Sequence, residues 1–210
     1  MQSRLLPLVL AAVIAAPAIL IACATAPNDA EVNAKATSML KASFKEQGQA
    51  KLDRLDQDDT QKVCSEYAGR APPKDVAERI EKANLATIKW PADGKLLGDW
   101  TNGETIAQEG RGMQYSDDPK GPVGANCYAC HQLAPQELSY GTIGPSLYQF
   151  GKLRGYTDEI RKYTYGKIYN ADAYSACTNM PRFGHKGILT EQQVRDVVAL
   201  LMDPASPVNK

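Results

Sequence analysis

Residues 121–131 read Gly121-Pro122-Val123-Gly124-Ala125-Asn126-Cys127-Tyr128-Ala129-Cys130-His131, and the last five of them decide the fold. C-x-x-C-H is the attachment pattern of a c-type haem. Two thiols three positions apart on one turn of chain reach two vinyl groups on one edge of a porphyrin. The next residue then sends its imidazole over the iron. Two other sites share the Cys-x-x-Cys core, a redox pair and half of a zinc site. A redox pair needs a strand in front and a helix behind, whereas Gly121–Asn126 is loop chemistry. A zinc site needs about four Cys or His ligands. The chain has one other histidine, His185, and Cys64 and Cys177 lie far away in sequence. The pattern therefore predicts one covalent haem c on Cys127 and Cys130, with His131 as an axial iron ligand.

An iron that carries electrons needs a second axial ligand, and downstream the candidates are Met180, His185 and, more remotely, Cys177. Met180 lies in Thr178-Asn179-Met180-Pro181-Arg182-Phe183-Gly184. Pro and Gly around it describe a loop with a fixed path, not the helical apolar stripe that holds a core methionine. A thioether favours Fe(II), and His/Met ligation raises the reduction potential. Met180 is the preferred ligand, and His185 reads as a surface or partner-facing residue. A ligating imidazole usually donates its other N–H to a carbonyl. Ile143-Gly144-Pro145-Ser146-Leu147 offers the Pro145 carbonyl, although a plain turn would have the same composition. Tyr128, Tyr165, Arg182 and Lys186 are near these residues in sequence and are candidates to touch haem propionates or a partner.

Outward from the motif the pattern is helical. Thr101-Asn102-Gly103-Glu104 reads as a capping box, followed by Ile106, Ala107 and Gly110, the last small enough for a crossing helix. Thr190 and Gln193 make a second box, ahead of an amphipathic stripe of Val194, Val197, Val198 and Leu201 that Pro204 closes. Thr157 to Ile168 reads as a helix between them, with Ile160, Tyr163 and Ile168 inward. No segment alternates convincingly as a strand. The expected fold is all-α, with the haem domain over residues 95–210. Residues 27–94 form a helical N-terminal extension. In it Glu31–Gln47 carries Val32, Ala36, Met39, Leu40 and Phe44 at helical spacing. Pro72 and Pro73 open a further helix with Val76, Ile80 and Ala83 or Leu85 inward. Asp53 to Asp59 is an acidic knot, and Trp90-Pro91-Ala92-Asp93-Gly94 reads as a linker turn.

Residues 1–26 read as a signal peptide: Arg4, then eighteen uncharged residues from Leu5 to Ala22, then small residues. Pro7 and Pro17 would interrupt a membrane-spanning helix, and the run is near the minimum length for one. Ala24-Thr25-Ala26 offers one cleavage site. Leu20-Ile21-Ala22-Cys23 offers another, of lipobox form, which would leave a lipidated Cys23. Export places the chain outside the cytoplasm, where a leftover cysteine pair favours a disulfide. Cys64–Cys177 would close a loop of about a hundred residues, worth ~4–5 kcal/mol in the chain-entropy account. Two unrelated buried thiols remain the other reading. Lys plus Arg and Asp plus Glu number 24 each, so no global charge argues for a nucleic-acid partner.

Taken together, Cys127–His131, Gly141-Thr142-Ile143-Gly144-Pro145-Ser146-Leu147, Tyr163-Thr164-Tyr165-Gly166-Lys167-Ile168-Tyr169-Asn170 and Asn179-Met180-Pro181-Arg182-Phe183-Gly184 resemble the SoxX family. These are the small cytochrome subunits of the SoxAX complexes of sulfur-oxidising bacteria. The likeness runs from about Trp90 to the C-terminus, and the extension looks like that of longer SoxX variants. It implies a class I cytochrome c-like fold with His131 and Met180 on the iron, in the periplasm. It implies a haem-bearing SoxA partner, conjugation of thiosulfate to the carrier protein SoxY, and an electron-accepting cytochrome c. The family's catalysis is placed at a cysteine-ligated haem of SoxA. This chain would then be a non-catalytic electron exit of an L-cysteine S-thiosulfotransferase, and no nucleophile of its own stands out. A free-standing periplasmic electron shuttle is the alternative, and a haem sensor would need an open axial site that Met180 argues against.

Overall fold

A computed structural model describes residues 28–68 and 70–210. The expected signal peptide, residues 1–26 with Cys23, lies outside the described residues. Among the described residues the structure is helical, with no strand and a single antiparallel bridge between Gln47 and Ala50. No described helix is long and apolar enough to cross a membrane. The chain divides into two compact units, one ending at Leu40 and one running from Lys41 to Lys210.

Helix α1 spans Asp29–Ser43. Asn28 starts it: its side-chain oxygen accepts from the Glu31 N–H at 3.0 Å, and Glu31 accepts from the Asn28 N–H. The helix ends before the expected Gln47, ahead of a turn in which Gly48 takes a φ of 53°. None of its residues is buried. Val32, Met39, Leu40 and, beyond the helix, Phe44 are exposed despite their spacing.

The second unit is built on a helix crossing. α4 (Trp100–Gln108) packs against α7 (Glu191–Met202) in the most extensive helix contact of the unit. Gly103 makes this approach possible. A Cβ there would meet the Asp196 carbonyl and lie 3.0 Å from the Leu200 Cβ. The glycine expected at the crossing, Gly110, lies beyond the helix end and faces Asn126 instead. The cap of α4 also differs from the expected Thr101 box. Asp99 is the N-cap and accepts from the Thr101 N–H at 2.8 Å. A carboxylate caps at least as well as a hydroxyl, and Asp99 is in turn held by Asp196, which accepts its N–H at 2.8 Å. At α7 the Thr190–Gln193 capping box is present.

α6 (Asp158–Tyr169), capped by Thr157, closes the core with Thr164, Tyr165, Ile168 and Tyr169 buried. Ile160 and Tyr163 are half-buried against it. α5 (Phe150–Arg154) contributes Phe150. Val194, Val198, Leu200 and Met202 of α7 are essentially inaccessible, and each such side chain stabilises by ~1.5–3 kcal/mol relative to exposure.

Residues 41–94 are part of this same unit. α2 (Asp59–Glu66) and α3 (Lys74–Leu85) lie here. α2 arises from the end of the acidic knot: Asp58 and Gln61 form a reciprocal capping box. In α3, Val76 and Ile80 are buried as expected, but the third inward residue is Asn84, while Leu85 is 46% exposed. Asn84 is satisfied there by a polar cluster. It donates to Thr60 Oγ1 at 2.9 Å and to Ile80 O at 2.9 Å, and accepts from Asn170 Nδ2 at 2.9 Å. Asn170 also donates to Thr87 Oγ1 at 2.9 Å. The expected turn at Trp90–Gly94 is present, with the Gly94 N–H donating to Pro91 O at 3.1 Å; it is exposed except at Pro91 but anchored to the unit. Ile88 is in the core, Trp90 lies 5.6 Å from the Tyr165 ring, and Asp93 pairs with Arg195 at 2.9 Å. Turn chemistry is legible in the sequence there, but the anchors, apolar at Ile88 and Trp90 and ionic at Asp93, are not. Replacing the inaccessible Asn170 by alanine strips the buried Asn84 side-chain oxygen, and the more exposed Thr87 hydroxyl, of a donor. It is expected to lower stability by roughly 1–3 kcal/mol, read as a lower midpoint in urea with unchanged slope.

Candidate functional site

The chain around Cys127 is a tight turn followed by a clamp. Asn126 takes a left-handed conformation (φ 46°, ψ 50°) and opens a single 3-10 turn, Cys127–Ala129. The Cys127 carbonyl accepts from the N–H groups of Cys130 at 3.1 Å and His131 at 2.9 Å. That winding brings the two thiols and the imidazole to one wall. The segment 141–147 then closes beneath it: Gly141 donates to Tyr128 O at 2.8 Å, Gly144 to Cys130 O at 2.9 Å and Leu147 to Gln132 O at 2.7 Å.

His131 Nδ1 lies 2.7 Å from the Pro145 carbonyl oxygen. A carbonyl only accepts, so Nδ1 carries the proton and Nε2 keeps its lone pair for a metal. Gly144 lies against the ring; a Cβ there would overlap three of its atoms. Gly144→Val is expected to push the imidazole away and leave the iron five-coordinate or misligated. The thioether bonds would survive, so the haem should still stain on a denaturing gel while the optical spectrum changes.

These residues open onto a cavity of about 700 Å³ lined by Cys127, Cys130, His131 and Met180, with largely apolar neighbours such as Leu133 and Phe183. That is within the ~300–1,000 Å³ of cofactor sites. Met180 is half-buried, packs against the core, and receives support from Thr178, whose Oγ1 accepts its N–H at 3.3 Å. His185 is not among the lining residues. Its N–H donates to Tyr169 O at 2.9 Å, and burial, with the nearby Arg182 and Lys186 charges, holds its ring below the usual histidine range.

Cys127 and Cys130 are unbonded. Burial pushes the Cys127 thiol up to about 12, the opposite of the lowered value that a redox-active Cys-x-x-Cys needs. Among the described residues no three His, Cys, Asp or Glu side chains gather as a metal-ion site. The donor set fits a thioether-linked haem: two free thiols three positions apart on one turn, an imidazole held by the Pro145 carbonyl and a thioether on the same cavity.

Cys64 and Cys177 are joined by a disulfide. It ties α2 to the Met180 loop, alongside a charge cluster that is buried at Arg182 and Asp172 and open to solvent at Lys186. Arg182 pairs with Asp58 at 2.6 Å and Asp172 at 3.4 Å, and Lys186 pairs with Asp58 at 2.5 Å. Burial would raise the Asp58 carboxyl, but hydrogen bonds from Lys186, the Gln61 N–H and Arg182 hold it well below the usual carboxylate range.

The four residues offered for propionates or a partner are otherwise engaged. Tyr165 is fully buried and donates to Lys89 O at 3.1 Å, and Tyr128 is buried and accepts from the Ala134 N–H at 3.3 Å. Arg182 and Lys186 face Asp58. The cations on the cavity are Arg154 and Lys167. Arg154 lies over the Phe150 ring at 5.0 Å, and Lys167 donates to Ala171 O at 3.1 Å. They suit carboxylate binding. Nothing in their local sequence marks them, since only the folded path of α5 and α6 brings them to the cavity.

A family model described as cytochrome c matches residues 120–203. A protein of Aquifex aeolicus (strain VF5) described as an uncharacterized lipoprotein is 42% identical over 158 residues, which is 73% of each chain. The match to cytochrome c implies covalent haem c and electron transfer through it.

Proposed function

The chain belongs to one family with the Aquifex lipoprotein and carries a cytochrome c domain, and on that premise we propose that it is an exported electron-transfer protein with a single haem held by Cys127, Cys130, His131 and Met180. The observation that carries this reading is the His131 imidazole, fixed by the Pro145 carbonyl and directed to a cavity that Met180 also lines. The bound haem supplies one-electron chemistry, and the chain's residues set its terms. Cys127 and Cys130 hold the porphyrin edge. Pro145 and Gly144 fix the imidazole in one orientation. Leu133, Phe183, Leu189 and Val197 exclude water from the cavity. The Met180 thioether favours Fe(II) and so raises the potential.

The finer assignment is a SoxX-like subunit. In that role the chain pairs with a SoxA-like haem protein that conjugates thiosulfate to a SoxY carrier, and passes electrons to an acceptor cytochrome c. The chain itself is a non-catalytic part of that L-cysteine S-thiosulfotransferase. The motifs from Cys127–His131 to Asn179–Gly184 support it. The periplasm is the expected compartment. The lipoprotein description of the Aquifex relative favours the Leu20-Ile21-Ala22-Cys23 lipobox over cleavage at Ala26, giving a lipid anchor at Cys23.

The test is purification of tagged chain from its native host. A second haem protein should co-purify, and thiosulfate-dependent reduction of a cytochrome c should require both. Isolation of the chain alone, with thiosulfate activity intact in its absence, would leave the free-shuttle reading instead.

A further inference from the structure

The segment Ala176–Pro181 is a wall one chain thick. On one side it lines the cavity shared by His131 and Met180. On the other it lines a second, open cleft of about 980 Å³, bordered by Cys64, Asp172, Arg182 and Lys186. The Cys64–Cys177 disulfide lies in that wall. Cys177 faces both spaces, and both cysteines are half-buried and reachable from the cleft. Two residues, Thr178 and Asn179, separate Cys177 from Met180.

Cys177 also takes a φ of 58°, a left-handed conformation disfavoured for any residue with a Cβ. Such a conformation persists only where the surroundings over-determine it. Here the bond to α2 shares that task with two carboxylates: Asp172 accepts from the Cys177 and Thr178 N–H groups, and Glu81 from the Ala176 N–H at 3.1 Å, and the direction in which the chain leaves Cys177 fixes the approach of Met180. Once the bond is cut, the covalent one of these holds is lost, the positive φ of Cys177 is no longer enforced by α2, and the path to Met180 loosens with it. Exposed disulfides are also the ones open to exchange.

We propose that Cys64–Cys177 is a second redox centre of this protein, reduced by dithiols through the open cleft, and that its state sets how firmly Met180 holds the iron. The step is a thiol–disulfide exchange. The S–S bond between Cys64 and Cys177 breaks, and a dithiol gives up two electrons and two protons. The chain gains two thiols, and the dithiol becomes a disulfide. Oxidised protein keeps Met180 in place, and reduced protein releases it to exchange with external ligands. The inference rests on the reading of Met180 as the axial ligand.

The experiment uses full-length holoprotein, with iron first made ferrous by ascorbate so that the metal is in one state throughout. One portion is treated with dithiothreitol under native conditions, and thiols are counted by alkylation and mass spectrometry. Carbon monoxide binding is then followed optically in both portions, and in Met180→Ala. The expected result is two new thiols and carbon monoxide binding roughly tenfold faster or more, as the ligand-free fraction rises. The Cys64→Ser/Cys177→Ser variant should behave like treated protein. If that variant fails to fold, the treated wild type carries the same comparison. A disulfide that native dithiol leaves intact would overturn the proposal. So would two new thiols with unchanged carbon monoxide binding. Met180→Ala tells the failures apart: if it binds no faster than untreated wild type, the ligand reading fails and the inference with it.

Discussion

A chain in which Cys127 and Cys130 are both serine is expected to lose every covalent bond to haem and to release its pigment completely into acidified acetone. The wild type should keep all of its pigment in the protein pellet. The two thiols are the chain's unbonded cysteines among the described residues, and the 3-10 turn Cys127–Ala129 presents them on the same wall of the cavity as His131. Serine preserves size and turn geometry but cannot form the sulfur–carbon link. His131 and Met180 remain, so haem added to the variant should bind reversibly and report a spectrum. Folding should weaken too. A cavity of about 700 Å³ lies between α6, α7 and the motif, and a reversibly bound group stabilises only as RT ln(1 + [L]/Kd). Thermal midpoints that depend on added haem in the variant, and not in the wild type, would show this. Pigment retained through extraction would mean attachment elsewhere.

The second large effect is at Met180. Met180→Ala removes the thioether, and with it the preference for Fe(II). Each tenfold loss of that preference lowers a one-electron midpoint by about 59 mV, and two such steps give a fall on the order of 120 mV. The vacated position should bind carbon monoxide and cyanide readily. His185→Ala is the matching control. His185 does not line the cavity, so its removal should leave the potential where it was. An unchanged titration for Met180→Ala, with a shifted one for His185→Ala, would reverse the assignment.

Much of the site was legible because its chemistry is local. Cys127, Cys130 and His131 are fixed by spacing on one turn. Pro145 was readable because a proline carbonyl after a glycine, close behind the motif, has few other tasks. α7 and the Thr190–Gln193 box were legible from period and cap alone. The losses occurred where long-range packing decides. Asp99 displaced Thr101 as the cap because Asp196, on a different helix, holds it. Gly103, not Gly110, meets α7 because α4 ends at Gln108, which leaves Gly110 outside the crossing and against Asn126. Asn84 took a core position that apolar periodicity assigns to Ala83 or Leu85, because Asn170 and Thr60 satisfy it across the fold. Arg154 and Lys167 reach the cavity by the path of their helices, while Arg182, the cation nearest Met180 in sequence, is held by Asp58 and Asp172.

The central claim is that His131 and Met180 grip an iron tethered through Cys127 and Cys130, and that this iron trades electrons. The most direct measurement is an anaerobic redox titration of the purified, exported chain with its visible spectrum recorded at each potential. The account predicts a single one-electron wave, a six-coordinate spectrum carrying the methionine–iron band when oxidised, and only slow carbon monoxide binding when reduced. A colourless sample, zinc in place of iron, or a five-coordinate spectrum that takes up carbon monoxide at once would contradict it.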